Sequence, residues 1–257
     1  MRYNTAFISD LHLGSRNCNA QKILDFLHDN DFDKLYLVGD IIDFWALKRE
    51  RYWPQLHNDV IQKILKKGRA GCEIIYLVGN HDLKISDYLG NYGNISIQEN
   101  DIHVTESGER IFIFHGHQLD VVIRNAEFVA HLGDIAYTIL MRCNRLINWT
   151  RSLLGCNYWS LSKFCKSKVK EAVNFVGNFE ENVVKYSVDY NVDSVLCGHV
   201  HSPAIKNIIA KEKEWLIDIS ENLYPDKTVK YYNCGDFVES YTAIVEHRGG
   251  EIGLLYL

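Results

Sequence analysis

"LYLVGDIIDFW" (residues 35–45) decides how the fold is read. Leu35 to Val38 form a short apolar run, and Gly39-Asp40 closes it with turn chemistry. Runs of four to six apolar residues, bounded by Gly and Asp, read as strands buried on both faces. Four other stretches follow the same plan: "AFISDLH" (6–12), "IIYLVGN" (74–80), "IFIFHGH" (111–117) and "SVLCGHVH" (194–201). Each ends in side chains able to hold a metal or carry a proton.

Helical patterns lie between these runs. Ile23, Leu24 and Leu27 make one apolar stripe. Val60, Ile61, Ile64 and Leu65 make another, entered from Pro54 and closed by Gly68. Strand–helix–strand alternation predicts an α/β fold with a largely parallel sheet. Ligands then gather at the carboxyl ends of the strands, where all of these polar clusters fall.

From 121 to 190 no strand is expected. Positions 121, 125, 128, 132, 135, 139, 143 and 146, apolar except for Asn125, step by threes and fours, as on a long amphipathic helix, and a second helical stretch covers about 160–186. Residues 121–190 are therefore read as a helical insertion, or cap, within a single domain spanning 1–257. Strands return over 192–198, 203–219 and 229–257, with "HRGGE" (247–251) as a hairpin turn. "YYNCGDFVESYTAIVEH" (231–247) reads as sheet core plus a loop near the site, with Asp236 and Glu239 as unassigned candidates.

The chain has 257 residues, 47% of them hydrophobic, enough for a substantial core. A net charge of −5 gives no reason to expect a dedicated nucleic-acid binder. Seven scattered cysteines with no C-x-x-C pair argue against a disulfide framework and for a reducing compartment. "MRYNTAFISD" has no apolar signal-peptide core, and no run reaches the roughly 18 apolar residues of a membrane span. A soluble, cytoplasmic chain is expected, with oligomeric state left open.

Taken singly, each polar cluster is weak: D-x-H, G-D and G-N are common turn signals, and a buried histidine is more often a satisfied core residue than a ligand. Asp43 has a plainer alternative reading as a helix N-cap. Order carries the argument instead. D-x-H, G-D-x-x-D, G-N-H-D, H and G-H-x-H follow one another at successive strand ends, a sequence of coincidences hard to sustain by accident.

The set "SDLHL … GDIID … GNHD … HGH … GHVH" resembles that of the calcineurin-like metallophosphoesterases over the chain apart from the insertion. That resemblance implies a four-layer α/β/β/α sandwich of two mixed sheets with two divalent metals at the strand ends. It implies that Asp10, His12, Asp40 and His201 hold one metal, and that Asp40, Asn80, His115 and His199 hold the other, with Asp40 bridging. A hydroxide between the cations would attack phosphorus in line. Mixed nitrogen and oxygen donors suit Mn first, with Fe or Zn as alternatives. By the same resemblance His81 reaches the scissile phosphate, oriented by Asp43.

Phe44-Trp45 stand where protein phosphatases of this superfamily carry arginine, which argues against that branch. "SDLHLGS" and "GDIIDFW" look more like the UDP-2,3-diacylglucosamine hydrolases of lipid A biosynthesis, or a close paralogue. Those enzymes cleave a lipid-bearing sugar nucleotide into UMP and an acylated glucosamine phosphate. The insertion suits such a partner: 135–170 contains no Asp or Glu, but has Arg142, Arg145, Arg151, Lys163, Lys166, Lys168 and Lys170 among aromatic and aliphatic residues. A basic, aromatic amphipathic surface fits an acyl-chain groove or a peripheral contact with the inner face of the cytoplasmic membrane; an ordinary insertion with a solvated basic face is the plainer alternative. Asn80, His81, His117, Asp120, Lys163, Lys166 and Lys168 are the expected substrate contacts. Two positions depart from the lipid A branch, which has arginine at the place of His81 and aspartate at the place of His117. Asp120 is read as supplying that carboxylate, and His117, on the same side as His115 if strand alternation continues, as orienting a ligand or touching substrate. The alternatives are a general phosphodiesterase or phosphatase on another nucleotide or small phosphoester, and a binding scaffold without catalysis.

Overall fold

Alternation along the strands builds two cores. The structure, a computed structural model, describes residues 1–119, 179–209 and 228–257. In β1 (Arg2–Ile8), Ala6 and Ile8 face one way and Phe7 the other, because successive side chains of a strand alternate. After α1 (Ala20–Asp29), β2 (Asp31–Val38) repeats this with Leu35 and Leu37 against Tyr36 and Val38. Past α2 (Phe44–Arg49) and α3 (Gln55–Arg69), β3 (Glu73–Leu77) does so with Ile74 and Tyr76 against Ile75 and Leu77. The first set packs under Ile23, Phe26 and Leu27 of α1 and Val60 and Ile64 of α3. The second set meets residues of another sheet.

The first sheet has the order β12-β11-β1-β2-β3-β5-β4, in which β4 is Gly90–Tyr92, β5 Ile95–Gln98, β11 Thr242–Glu246 and β12 Ile252–Tyr256. Its centre, β1 to β3 with β5, is parallel, and β4, β11 and β12 are antiparallel additions. The second sheet runs β6-β7-β8-β10-β9, from β6 (Asn100–Val104), β7 (Arg110–Phe114), β8 (Ser194–Cys197), β9 (Ala204–Ile209) and β10 (Thr228–Asn233). Here β7, β8 and β10 are parallel and the edges antiparallel. Ile111 and Ile113 face the first sheet, while Phe112 and Phe114 face outward. They are covered by α4 (Phe179–Asp189), whose Tyr186 lies 5.7 Å from the Phe112 ring and 5.1 Å from that of Phe114. The four-layer α/β/β/α sandwich of two mixed sheets is therefore present.

Register brings the strand ends level. Ile8 pairs with Leu37, Val38 with Leu77, and Ile113 with Leu196. The loops after these strands begin side by side, and they hold the polar clusters.

Three local expectations change. Gly68 lies inside α3 rather than closing it, because a side chain there would press on Ile74; the helix ends at Arg69. Leu65 is 50% exposed and leaves the buried stripe. The short strands β4 to β6 were not anticipated: their residues are largely half-buried or exposed and give no apolar run. Met1–His117 and Glu180–Leu257 form one compact unit and Gln118–Phe179 a second. The expected helical insertion, 121–190, lies mostly outside the described residues; its last expected residues instead form α4, which from Glu180 belongs to the first unit and covers the second sheet. Cys72, Cys197 and Cys234 are buried, and they and Cys18 are free thiols. Among the described residues no helix is long and apolar enough to cross a membrane.

Candidate metal centre

Beyond β1 and β2 the backbone leaves extended geometry while the loops stay bonded to each other. Asp10 N–H donates to the Gly39 carbonyl at 3.1 Å and His12 N–H to the Asp40 carbonyl at 3.0 Å. Asp10, His12, Asp40, His199 and His201 all have φ between 50° and 65°, in the left-handed region. Only Asn191 and Tyr241 join them among the described non-glycine residues. Left-handed residues are uncommon, with Asp, Asn and His favoured, and they persist where surrounding structure holds them for function. The preceding glycines make room. A Cβ on Gly79 would stand 2.2 Å from Asp40 Oδ1, and one on Gly198 would stand 2.5 Å from Asp10 Oδ2.

Three donor groups result among the described residues, the third being His12, Asp43 and His81. Asp10, His12 and His201 offer ligand atoms within 4.8 Å of one another, and so do Asp40, His115 and His199. Asp40 joins the second group and not the first. In the first, Asp10 Oδ1 lies 3.2 Å from His201 Nε2 and 3.8 Å from His12 Nε2. In the second, His115 Nε2 lies 3.3 Å from Asp40 Oδ2 and 3.2 Å from Asn80 Oδ1. These two groups are tied together where His199 N–H donates to Asp10 Oδ2 at 2.9 Å.

Each central histidine is held by its far nitrogen. His115 Nδ1–H donates to the Val38 carbonyl at 2.9 Å, and His12 Nδ1 lies 3.2 Å from Asp43 Oδ2. That leaves both Nε2 atoms aimed into the site, the usual support for a metal-binding imidazole. His12 Nε2 is buried with no hydrogen-bond partner, and buried Asp10 Oδ1 faces the His201 and His12 imidazoles without a well-formed hydrogen bond. Such atoms cost roughly 1–3 kcal/mol each unless something satisfies them. A divalent cation does so, and the mixed His and carboxylate set matches transition-metal preference; the residues fit a metal. Burial opposes charge on both members of the inner pair, but their hydrogen bond and mutual attraction overcome it. Asp40 is lowered to about 2 and His115 raised to about 9. A cation held there would displace a proton from His115.

Asp43 serves three partners. Its Oδ1 caps α2 by accepting from Ala46 N–H at 2.7 Å and lies 2.9 Å from His81 Nδ1, while Oδ2 faces His12. The N-cap and histidine-partner readings both hold. Burial raises its carboxyl, but these bonds take it well below the ordinary aspartate range. His81 N–H donates to Asp40 Oδ1 at 2.8 Å, and its Nε2 lies 3.9 Å from Asp40 Oδ2. Burial lowers His81, and Asp43 and Asp40 more than restore it, so its net shift is upward.

Two supporting carboxylates had no assigned role. Asp82, the last residue of "GNHD", accepts from Ile41 N–H, Gly79 N–H and Tyr76 O–H at 2.8, 2.6 and 2.5 Å. It thereby pins the Asp40 and Asn80 loops together; its place in the motif was the available signal. Asp236 Oδ1 accepts from the amides of Val238 and Glu239, and Phe237 N–H donates to the Asp10 carbonyl, so the late loop steadies the first ligand.

His117 lies at the same end, its ring centroid 5.5 Å from that of His115. The expected route was wrong: β7 ends at Phe114 and Gly116 has φ of 118°, so strand alternation does not carry on to residue 117. Asp120, Lys163, Lys166 and Lys168 lie outside the described residues.

A model of the calcineurin-like phosphoesterase family matches residues 3–203. A UDP-2,3-diacylglucosamine hydrolase of Marinobacter nauticus is 28% identical over 236 residues, spanning 85% of this chain and 94% of that protein. Proteins of the same name from Psychromonas ingrahamii and Vibrio cholerae are 23% and 22% identical, covering 80% and 91% of this chain and 84% and 99% of their own.

Proposed function

The chain belongs to the calcineurin-like phosphoesterase family as a metal-dependent hydrolase, and from that premise we propose that it cleaves the pyrophosphate of UDP-2,3-diacylglucosamine to UMP and 2,3-diacylglucosamine 1-phosphate. One observation carries the reading: His–carboxylate groups meet at the strand ends with His12 Nε2 buried and unpartnered and Asp10 Oδ1 buried beside the His201 imidazole. Asp10, His12 and His201, with Asp40, would hold one cation. Asp40, Asn80, His115 and His199 would hold the other, Asp40 being common to both. When bound, two such cations, Mn in our assignment, supply Lewis acidity to phosphoryl oxygens and acidify water enough for attack near neutral pH.

The remaining steps belong to the chain's own residues. Asp43 holds His81 by Nδ1, so Nε2 is the atom presented to the phosphate, where it donates to the charge that builds on the leaving oxygen. Val38 and Asp43 keep His115 and His12 in the tautomers that face Nε2 inward. His117 and Asp120 would meet substrate beside His115. We assign the acyl chains and a peripheral membrane contact to the insertion, with Lys163, Lys166 and Lys168 toward anionic groups; the acid-free, aromatic-rich composition of 135–170 supports this. The three named relatives support the substrate.

A second reading, a general metallophosphodiesterase, is favoured by His81 and His117, which replace an arginine and an aspartate of the lipid A branch. The Mn-loaded protein incubated with UDP-2,3-diacylglucosamine and with bis(p-nitrophenyl) phosphate separates the two. UMP release at far higher kcat/KM is expected; turnover of the aryl diester alone overturns the lipid substrate.

A further inference from the structure

The segment that follows Asp40 grips His81 in three places. Phe44 N–H donates to the His81 carbonyl at 3.2 Å, fixing the backbone that bears the ring. Asp43 Oδ1 takes Nδ1 at 2.9 Å. The indole of Trp45 lies over the imidazole, with ring centroids 4.1 Å apart and planes inclined by 33°. The His12 ring also packs against the imidazole at right angles, with centroids 4.7 Å apart.

These contacts do different work. Histidine χ2 is a broad torsion, so the side chain alone does not set the plane of its ring. A hydrogen bond at Nδ1 fixes one ring atom but leaves the ring free to swing about the line from Nδ1 to the carboxylate. A swing of that kind displaces Nε2 while Nδ1 stays in place. A flat surface against the ring face removes this freedom. Offset and tilted aromatic pairs at this separation are attractive. Trp45 is 50% exposed, so half of its surface is not used to fill a core.

We infer that Trp45 is a positioning residue for His81: its indole and the His12 ring clamp the imidazole so that Nε2 stays aimed at the reacting phosphate. The role rests on the phosphoesterase reading above. Trp45 itself touches no reacting atom. The cap of α2 and its first two residues thus complete the orientation of the proton donor, and leucine at 45 would keep the helix but lose the flat face.

The test compares wild type, Trp45→Leu, Trp45→Phe and His81→Ala. In the metal-free full chain labelled with 13C-histidine, His81→Ala identifies the His81 ring resonances. The indole ring current should displace them upfield; the displacement should vanish in Trp45→Leu and persist in part in Trp45→Phe. With Mn and bis(p-nitrophenyl) phosphate, Trp45→Leu should lose about tenfold in kcat with KM changed less than about twofold, as misaimed general acids do. Trp45→Phe should recover most of it, and Trp45→Leu should cost nothing further in a His81→Ala background. Unchanged His81 resonances in Trp45→Leu overturn the clamp. So does a rise in KM at constant kcat, which would make Trp45 a substrate contact, or an equal loss with His81 already removed. A wild-type chain inert toward every phosphoester overturns the hydrolase reading and the positioning role with it, while the resonances still report whether the rings are stacked.

Discussion

His103 and Glu246 meet at 2.8 Å, and His115 and Asp40 meet at 3.3 Å; all four side chains are buried. The first pair joins β6 of one sheet to β11 of the other, and its bonds close on themselves. Glu246 Oε2 also accepts from Thr5 O–H at 2.8 Å, and Oε1 accepts from Glu106 N–H at 2.7 Å. Phe7 and Tyr36 pack edge-on against the His103 ring. Neither His103 nor Glu246 has a left-handed backbone. At the strand ends Asp10, His12 and Asp40 sit on left-handed backbone, and His12 Nε2 is left without a hydrogen-bond partner. Burial of histidine with carboxylate is therefore common to a structural tie and a functional centre. Unmet bonding capacity separates them, since a satisfied cluster has nothing left to offer a ligand.

The comparison breaks if the open cluster behaves like the closed one. His12→Asn is the sharpest probe, because asparagine tolerates the left-handed φ of 50°. Its short amide can also reach Asp43 where Nδ1 stood, while the place of Nε2 is vacated. Metal bound per chain, measured by elemental analysis after desalting, should fall. Phosphodiester turnover should drop on the order of 10³-fold, about 4 kcal/mol in barrier. The unfolding free energy of the metal-free protein should stay within about 1 kcal/mol, because the side chain removed carried an unpaired buried atom. A variant that keeps its metal and its rate would remove His12 from the site.

Glu246→Leu should do the reverse. Removing one partner of a buried, hydrogen-bonded pair strands His103, Thr5 and the Glu106 amide, and costs roughly 3–5 kcal/mol. In a chain of this size that lowers Tm by about 10 °C. Metal content and kcat per folded molecule should not change. A loss of rate in protein shown by calorimetry to be folded would mean that the two clusters are coupled.

The difference between the clusters also marks what could be read in the residues. The open cluster was legible because each member ends an apolar run and the motifs recur in order, from Asp10 and His12 to His199 and His201. Parallel strands follow from the same runs, since a strand buried on both faces keeps no polar side. The closed cluster was not legible: His103 and Glu246 are 143 positions apart, in strands with no motif, and only sheet pairing brings them together. Asp82 and Trp45 stood in full view beside the motifs, yet their roles depend on which loop lies over which. Left-handed backbone at five candidate ligands has no signature beyond the preference of Asp and His for it. His117 shows the limit of periodicity, which stopped with β7 one residue before His115.

The smallest expected effect concerns acid. Burial raises the Glu246 carboxyl, but His103, the Glu106 amide and Thr5 outweigh it and lower the group to about 2, against an ordinary value of 4.5. The folded chain therefore keeps this carboxylate ionised at a pH where the unfolded chain has already taken up a proton. Stability from Glu246 is fully present above about 4.5, shrinks as pH falls below it, and is gone below about 2. Within that window one proton is bound in the unfolded state only, so its contribution changes by at most about 1.4 kcal/mol per pH unit. Other carboxylates titrate over the same range, so the useful quantity is the difference between wild type and Glu246→Gln. Urea unfolding at pH 6, 4 and 3 should show wild type losing its advantage over Glu246→Gln step by step as the pH falls. A constant difference across those three values would mean that Glu246 stabilises the sandwich through shape and neutral hydrogen bonds, and that its charge contributes nothing.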